Sequence, residues 1–147
     1  MGYGLPAAVG AQIGCPNRTV VTFIGDGGFQ MTMQEMGTIA QEKIPVKIVI
    51  LNNNFLGMVR QWQELFFEKR YSFTELVNPN FIVLSSAFGI PAKKVVKGSE
   101  LESAIEEMLK SDGPYLLEIV VEQEDNVFPM VPSGASVSEI ILENPKV

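Results

Sequence analysis

The chain has 147 residues, 46% of them hydrophobic, and its 11 basic and 17 acidic residues give a formal net charge of −6. This acidic balance, without any basic cluster, argues against nucleic-acid binding. The sequence has a single cysteine, Cys15, and no histidine, which excludes an internal disulfide, a zinc site built on Cys or His, and a Ser-His-Asp triad within this chain.

Two further features bear on where the protein works. No apolar run approaches the roughly 18–20 residues that a transmembrane helix needs. The first residues, MGYGLPAAVG, lack the basic start of a secretory signal peptide. We therefore expect a soluble, cytoplasmic protein with no membrane partner.

The first half of the chain alternates between helix and strand patterns. Small apolar residues predict a buried helix over Leu5–Gly14, and the β-branched run Thr19–Ile24 predicts a central parallel strand. A helix is expected over Thr32–Lys43, where apolar residues recur at helical spacing until Pro45 ends the pattern. Val46–Leu51 is the second predicted strand.

The second half continues this alternation. Helices are predicted at Gly57–Phe67, Phe81–Phe88 and Glu100–Lys110, and strands at Ala92–Val96 and Tyr115–Val121. Ser99 and Glu102 have the spacing of a capping box at the start of the third helix. The resulting fold class is α/β, a doubly wound, mainly parallel sheet with helices on both faces. We expect one domain over residues 1–121 and a tail of the same domain over 122–147, irregular except for a short helix near Val137–Leu142.

Polar residues follow the first two predicted strands. The first ends in Gly25-Asp26-Gly27-Gly28, and the second ends in three asparagines that include Asn53. Ligands of open parallel sheets bind outside the carboxyl ends of the strands, so Asp26 and Asn53 are expected to face one space. Their oxygens suit a hard cation such as Mg²⁺, which completes its shell with water and phosphate oxygens.

Glycines follow both strand ends as well. Gly27, Gly28 and Gly57 each precede a predicted helix, whose free N–H groups attract phosphate, and they allow the backbone to approach an anion closely. Taken alone, an Asp-Gly pair after a strand is more often a turn, and a run of asparagines is more often a loop. The conjunction of the two patterns, one β-α-β crossover apart, favours a bound metal and diphosphate.

The same pattern resembles the signature of thiamin-diphosphate enzymes, in which Gly-Asp-Gly is followed after one crossover by Asn-Asn, here Gly25-Asp26-Gly27 and Asn52-Asn53. Longer stretches, GMVRQWQ and PMVPSGA above all, resemble the C-terminal domain of the catalytic subunit of acetolactate synthase (acetohydroxyacid synthase). The resemblance extends over nearly the whole chain.

This resemblance implies a role for each residue of the site. Metal ligands would be the side chains of Asp26 and Asn53 and the carbonyl of Phe55. Cofactor-binding positions would be Met1, Gly25, Asp26, Gly27, Gly28, Asn53, Leu56, Gly57 and Met58. Met58 and Trp62 would line the substrate pocket, although a Met and a Trp four residues apart on a helix are more often core packing.

The family also implies an activity that needs more than this chain. It decarboxylates pyruvate and joins the two-carbon unit to a second 2-ketoacid, the first step of branched-chain amino-acid synthesis. Its cofactors are thiamin diphosphate, Mg²⁺ and FAD, the last bound mostly outside this segment. The activating glutamate comes from an N-terminal domain, usually of a second catalytic subunit. We therefore expect a fragment that is inactive alone and binds the cofactor weakly. It should self-associate through exposed apolar residues around Met58, Trp62 and Phe66. The full-length form is expected to be a homo-oligomer that can also bind a small regulatory subunit.

Two other classes stay open on the sequence alone. One is a different thiamin-diphosphate enzyme, of the pyruvate oxidase or glyoxylate carboligase type. The other is a non-catalytic domain that binds a phosphate ligand or serves in interaction or regulation. Against nucleotide binding, the chain has neither G-x-G-x-x-G after its first strand nor G-x-x-x-x-G-K-[ST].

Overall fold

The computed structural model describes residues 1–143, which form four parallel strands and six α-helices. The strands are β1 (Val21–Gly25), β2 (Lys47–Asn52), β3 (Ala92–Val95) and β4 (Tyr115–Val120). The helices are α1 (Gly4–Gly14), α2 (Asp26–Gln30), α3 (Glu35–Gln41), α4 (Gly57–Phe66), α5 (Phe81–Ala87) and α6 (Leu101–Lys110). The strand order in the sheet is β1-β2-β4-β3, with every neighbouring pair parallel, and the predicted α/β class is confirmed.

Helices cover both faces of this sheet. Successive strand residues point to opposite sides, so Ile48 and Ile50 lie in one core cluster with the buried residues of α1, α2, α3 and α5. Val49 lies in the second cluster, against Ala104 and Met108 of α6. Within residues 1–143, every helix falls short of the length and hydrophobicity that crossing a lipid bilayer demands.

The helix predicted over Thr32–Lys43 is present as the shorter α3, and a separate helix, α2, precedes it. Asp26 itself opens α2, after Gly25 in an extended conformation (φ −71°, ψ 153°). Between α2 and α3 the backbone bonds tighten to the three-residue spacing, with Thr32 N–H donating to the Phe29 carbonyl at 3.1 Å. The predicted helix started too early because apolar spacing reports which face is buried and does not distinguish these tight turns from a helix.

Two predictions about helix ends also differ from the structure. The capping box at Ser99 was wrong: Gly98–Glu100 form a 3-10 turn, and no side chain caps α6. A capping box does form in the tail, between Ser136 and Glu139, but the helix predicted there is only the 3-10 turn Val137–Glu139. The part of the predicted tail at 144–147 lies outside the described residues.

Helix α4 buries two polar side chains and leaves apolar ones exposed, as expected of a surface that other domains would cover. Arg60 and Gln61 are 5% and 1% exposed, whereas Met58 and Phe66 are 49% and 40% exposed. Trp62 is half-buried and packs on Phe66 with ring centroids 4.8 Å apart. These apolar residues form no part of either core cluster.

The tail supplies the partners that allow α4 to bury polar groups. The Gln61 side chain accepts from Val127 N–H at 2.7 Å and donates to the Val127 carbonyl at 2.9 Å. The Arg60 guanidinium donates to Glu64 and Glu124 at 3.0 Å each. The irregular tail is therefore fixed to α4 by hydrogen bonds, which compensate the desolvation of these two side chains.

Candidate functional site

A cavity of about 700 Å³ opens at the carboxyl ends of β1 and β2. Its lining includes ten residues that the sequence singled out: Met1, Gly25, Asp26, Gly27, Gly28, Asn53, Phe55, Leu56, Gly57 and Met58. The two strands are adjacent and parallel, with Gly25 in register with Leu51, so the residues that follow them emerge side by side. The cavity is therefore a direct product of the first β-α-β crossover.

Asp26 is the most deeply buried charged group of the cavity. It is 1% exposed and begins α2, immediately after the extended Gly25. Among the described residues, its carboxylate receives one hydrogen bond, from the Asn78 side-chain amide to Oδ2 at 2.6 Å. A buried carboxylate with a single neutral donor requires further compensation, and a cation in the cavity would provide it.

The three asparagines have three different positions. Asn52 ends β2 and is buried, Asn53 reaches the cavity, and Asn54 adopts φ 57°, which Asn tolerates better than most residues. Two successive side-chain turns shape this loop. Asn52 Oδ1 accepts from Asn54 N–H, and Asn53 Oδ1 accepts from Phe55 N–H, each at 3.1 Å. These bonds orient the Asn53 side chain and the Phe55 backbone toward one another.

Two glycines of the first loop, Gly25 and Gly27, have different surroundings. A Cβ on Gly27 would lie 2.7 Å from Leu56 Cδ2 and 3.0 Å from Leu76 Cδ1, whereas one on Gly25 would meet nothing within 4 Å. Leucine side chains of the neighbouring loop therefore pack tightly on Gly27, and Gly25 leaves room in the cavity. On the other side, Gly57 begins α4, whose amino end has no side-chain cap.

The two residues assigned to the substrate pocket are separated in the structure. Met58 lines the main cavity. Trp62 does not: it lines a neighbouring hollow of about 450 Å³ together with Gln63, Phe67 and Arg70, and Val59 borders both spaces.

Sequence reasoning missed the segment that supports the asparagine loop. Leu56 N–H donates to the Thr74 carbonyl at 2.8 Å, and Leu76 N–H donates to the Asn54 carbonyl at 2.7 Å. The same segment brings Asn78 against Asp26. Its local signals are its length, which suits a functional loop, and the dipeptide Asn78-Pro79, which marks a turn; neither shows where the segment packs. Glu122 and Asp125, assigned to the tail, also line the cavity.

The donor set fits a hard cation bound together with a phosphate ligand. Residues 1–143 contain no cluster of three or more His, Cys, Asp or Glu that could hold a metal ion. One carboxylate, one amide and backbone oxygens cannot fill an octahedron, and Mg²⁺ in such sites takes its remaining ligands from water and phosphate. The cavity beside Asp26 provides space for both.

Comparison with known proteins agrees with this geometry. Residues 1–119 match the family described as thiamine pyrophosphate enzyme, C-terminal TPP binding domain. The chain is 54% identical over 142 residues to the acetolactate synthase isozyme 2 large subunit of Escherichia coli (strain K12), and 50% identical over 143 residues to the acetolactate synthase large subunit of Porphyra purpurea. Each alignment covers 96% of this chain but 26% and 24% of the relative, so the chain spans about a quarter of their length.

A solved structure gives the same result for the fold. The thiamine diphosphate-dependent 4-hydroxybenzoylformate decarboxylase of Rhodococcus jostii RHA1 superposes with a TM-score of 0.79 at 33% identity, over 85% of this chain and 24% of that one. The relatives confirm the resemblance to acetolactate synthase that the sequence motifs indicated. The chain therefore belongs to the thiamine pyrophosphate enzyme family, as a C-terminal domain of the kind that binds that cofactor.

Proposed function

We propose that this chain is the cofactor-binding part of an acetolactate synthase, which decarboxylates pyruvate and joins the two-carbon unit to a second 2-ketoacid. The observation that carries the proposal is the convergence of Asp26 and Asn53 on one cavity, in a chain 54% identical to an acetolactate synthase large subunit. Thiamin diphosphate, when bound, supplies the carbon nucleophile and the electron sink for this reaction.

In this proposal the chain's own residues hold a Mg²⁺–diphosphate pair. Asp26, Asn53 and the Phe55 carbonyl are the protein ligands of the cation. The backbone around Gly27, Gly28, Leu56 and Gly57 binds the diphosphate, and the uncapped amino end of α4 favours its negative charge. Because Asp26 is itself negative, the cation has to stand between it and the phosphates, so cofactor binding should depend on divalent metal.

The apolar part of the cavity would bind the rest of the cofactor and exclude water. Phe23 and Leu51 lie beside Gly25 on this wall, and Met1 and Met58 line it further out. Met58 and Trp62 would extend toward the substrate entrance, with Trp62 in the adjoining hollow.

The complete enzyme in this proposal needs other polypeptide. The activating glutamate and the FAD site would lie in N-terminal domains and a second catalytic subunit. The exposed apolar residues of α4 support such an interface. The name "large subunit" of the relatives supports a small regulatory partner. We propose a cytoplasmic location, while noting that relatives named mitochondrial and chloroplastic also match.

The test of this function is metal-dependent binding of thiamin diphosphate to the nitrogen-15-labelled chain, followed by NMR because millimolar affinities can be measured. Asp26→Ala should abolish the Mg²⁺-dependent shifts, since it removes the one charged ligand. Asp112→Ala is the control, because Asp112 is exposed and precedes β4 at the opposite end of the sheet. Binding that survives Asp26→Ala, or that needs no divalent metal, would contradict the proposal.

A second candidate is another reaction of the same cofactor, since the solved relative is a decarboxylase. Product analysis of the full-length enzyme with pyruvate separates the two. Acetolactate supports the synthase, whereas acetaldehyde or acetate as the sole product supports the alternative.

A further inference from the structure

The side-chain amide of Asn78 lies among three oxygens from both strand ends. Its Nδ2 is 2.6 Å from Asp26 Oδ2, 2.9 Å from Asn52 Oδ1 and 2.9 Å from Asn54 Oδ1. One nitrogen thus links the segment after β1 to the segment after β2. Asn78 itself is not among the residues that line the cavity, so it contacts the site only through its neighbours.

A chain of hydrogen bonds fixes the direction in which this amide points. Gln30 Nε2 donates to Asn78 Oδ1 at 2.6 Å. The oxygen of the Asn78 amide therefore faces Gln30, and its nitrogen faces Asp26. Asn52 Nδ2 donates to the buried Glu118 at 2.8 Å, which turns Asn52 Oδ1 toward Asn78.

Glu118 is fixed in its turn. It is 2% exposed, and its Oε1 also accepts from Lys94 Nζ of β3 at 2.8 Å. Each hydrogen bond from Lys94 through Glu118, Asn52 and Asn78 to Asp26 therefore pairs a donor with an acceptor. A hydrogen-bond network whose donors and acceptors match in this way favours a single arrangement of its side chains.

This arrangement leaves the cavity side of Asp26 available. Asn78 donates to Oδ2, and within residues 1–143 the carboxylate accepts no other hydrogen bond. Carboxylates that bind metal ions are held by hydrogen bonds from groups that do not touch the ion, and loss of such groups costs metal affinity.

We propose that Asn78 is a positioning residue for the cation site, which holds Asp26 and the asparagine loop at the spacing that one Mg²⁺ and a diphosphate require. This inference rests on the proposed function, because it assigns Asn78 a role toward the same ion.

The experiment compares two asparagines of the same loop. Asn78→Ala removes the amide from Asp26. Asn80→Ala is the matched control, since Asn80 caps α5 by accepting from Ile82 and Val83 N–H at 3.1 Å each, and no hydrogen bond joins it to Asp26 or the asparagine loop. Mg²⁺ is titrated into each nitrogen-15-labelled chain at a fixed excess of thiamin diphosphate, and thermal unfolding is measured without ligand.

Both variants should unfold at a lower temperature, because each loses structural hydrogen bonds. Only Asn78→Ala should lower the apparent Mg²⁺ affinity, by about 10- to 100-fold as for other outer partners of metal ligands. Asn78→Ser, which keeps one donor, should fold more readily and give a smaller loss; it decides the matter if Asn78→Ala does not fold.

Mg²⁺ affinity within about twofold of the unaltered chain in both Asn78 variants, or an equal loss in Asn80→Ala, would overturn the inference. If Asp26→Ala abolishes binding in the same series, the proposed function stands without Asn78. If Asp26→Ala leaves binding intact, the proposed function and this inference are both wrong.

Discussion

Gly27 provides the sharpest test of how the two loops of the cavity pack. A methyl group there would lie 2.7 Å from Leu56 Cδ2 and 3.0 Å from Leu76 Cδ1, so at least one leucine must move. At Gly28, in the same helix, the nearest atom would be Ile24 Cγ1 at 3.5 Å, an ordinary contact. Both substitutions by alanine gain about 1 kcal/mol or less of helix propensity, which cancels in the comparison.

Gly27→Ala should therefore be less stable than Gly28→Ala by about 1 kcal/mol, the lower end of the cost of overpacking, because both contacts are the ends of half-buried leucine side chains that can shift. Urea unfolding followed by far-ultraviolet circular dichroism measures this difference. With an m-value of about 2 kcal/mol/M, the midpoints should differ by roughly 0.5 M. Equal midpoints, or a more stable Gly27→Ala, would refute the packing described between Gly27 and the leucines.

Two further predictions concern the sheet and the exposed face of α4. Burial, together with the hydrogen bond to Glu107, raises the pKa of Tyr115 from 10.0 to about 12, so the folded state retains the phenolic proton where the unfolded state loses it. The free energy of unfolding should then fall as the pH rises from about 10 to 12, and fall less in Tyr115→Phe; the same slope in both chains would contradict this. The chain should self-associate through the exposed apolar residues of α4, and Phe66→Glu should weaken this association. Sedimentation velocity measures both, and an unaltered chain that stays monomeric at high concentration would contradict the prediction.

The sequence predicted the elements better than their ends. All four strands and the helices at α1, α4, α5 and α6 were predicted within a few residues, because each combines hydrophobic periodicity with a nearby Gly or Pro. Helix α2 was not predicted, and the tight turns before α3 were predicted as helix, since such turns preserve the apolar spacing that buries Met36 and Ile39. The exposure of Met58 and Phe66 on α4 was expected of a surface that other domains would cover. The burial of Arg60 and Gln61 was not, because nothing local to them shows that the tail would supply their partners.

The candidate site was predicted only in part, because some of its contacts are local in sequence and others are not. Asp26 and Asn53 follow adjacent strands of one crossover, a local relation that sequence spacing expresses. Asn78 contacts Asp26 and Asn52 because the loop before α5 folds back against the two strand ends. Glu118 reaches Asn52 only because β4 pairs with β2. Such contacts depend on strand order, which the pattern of a single sequence does not specify.

The insertion of β4 between β2 and β3 has a consequence for biosynthesis. As the chain leaves the ribosome, β3 has no strand to pair with until residues 115–120 have emerged. The half-formed sheet then exposes the free edge of β2 while more than twenty residues of β3, α6 and their connections are made. Unpaired edges of this kind are sites of aggregation, so slow translation between residues 92 and 115 should favour capture by chaperones over productive folding.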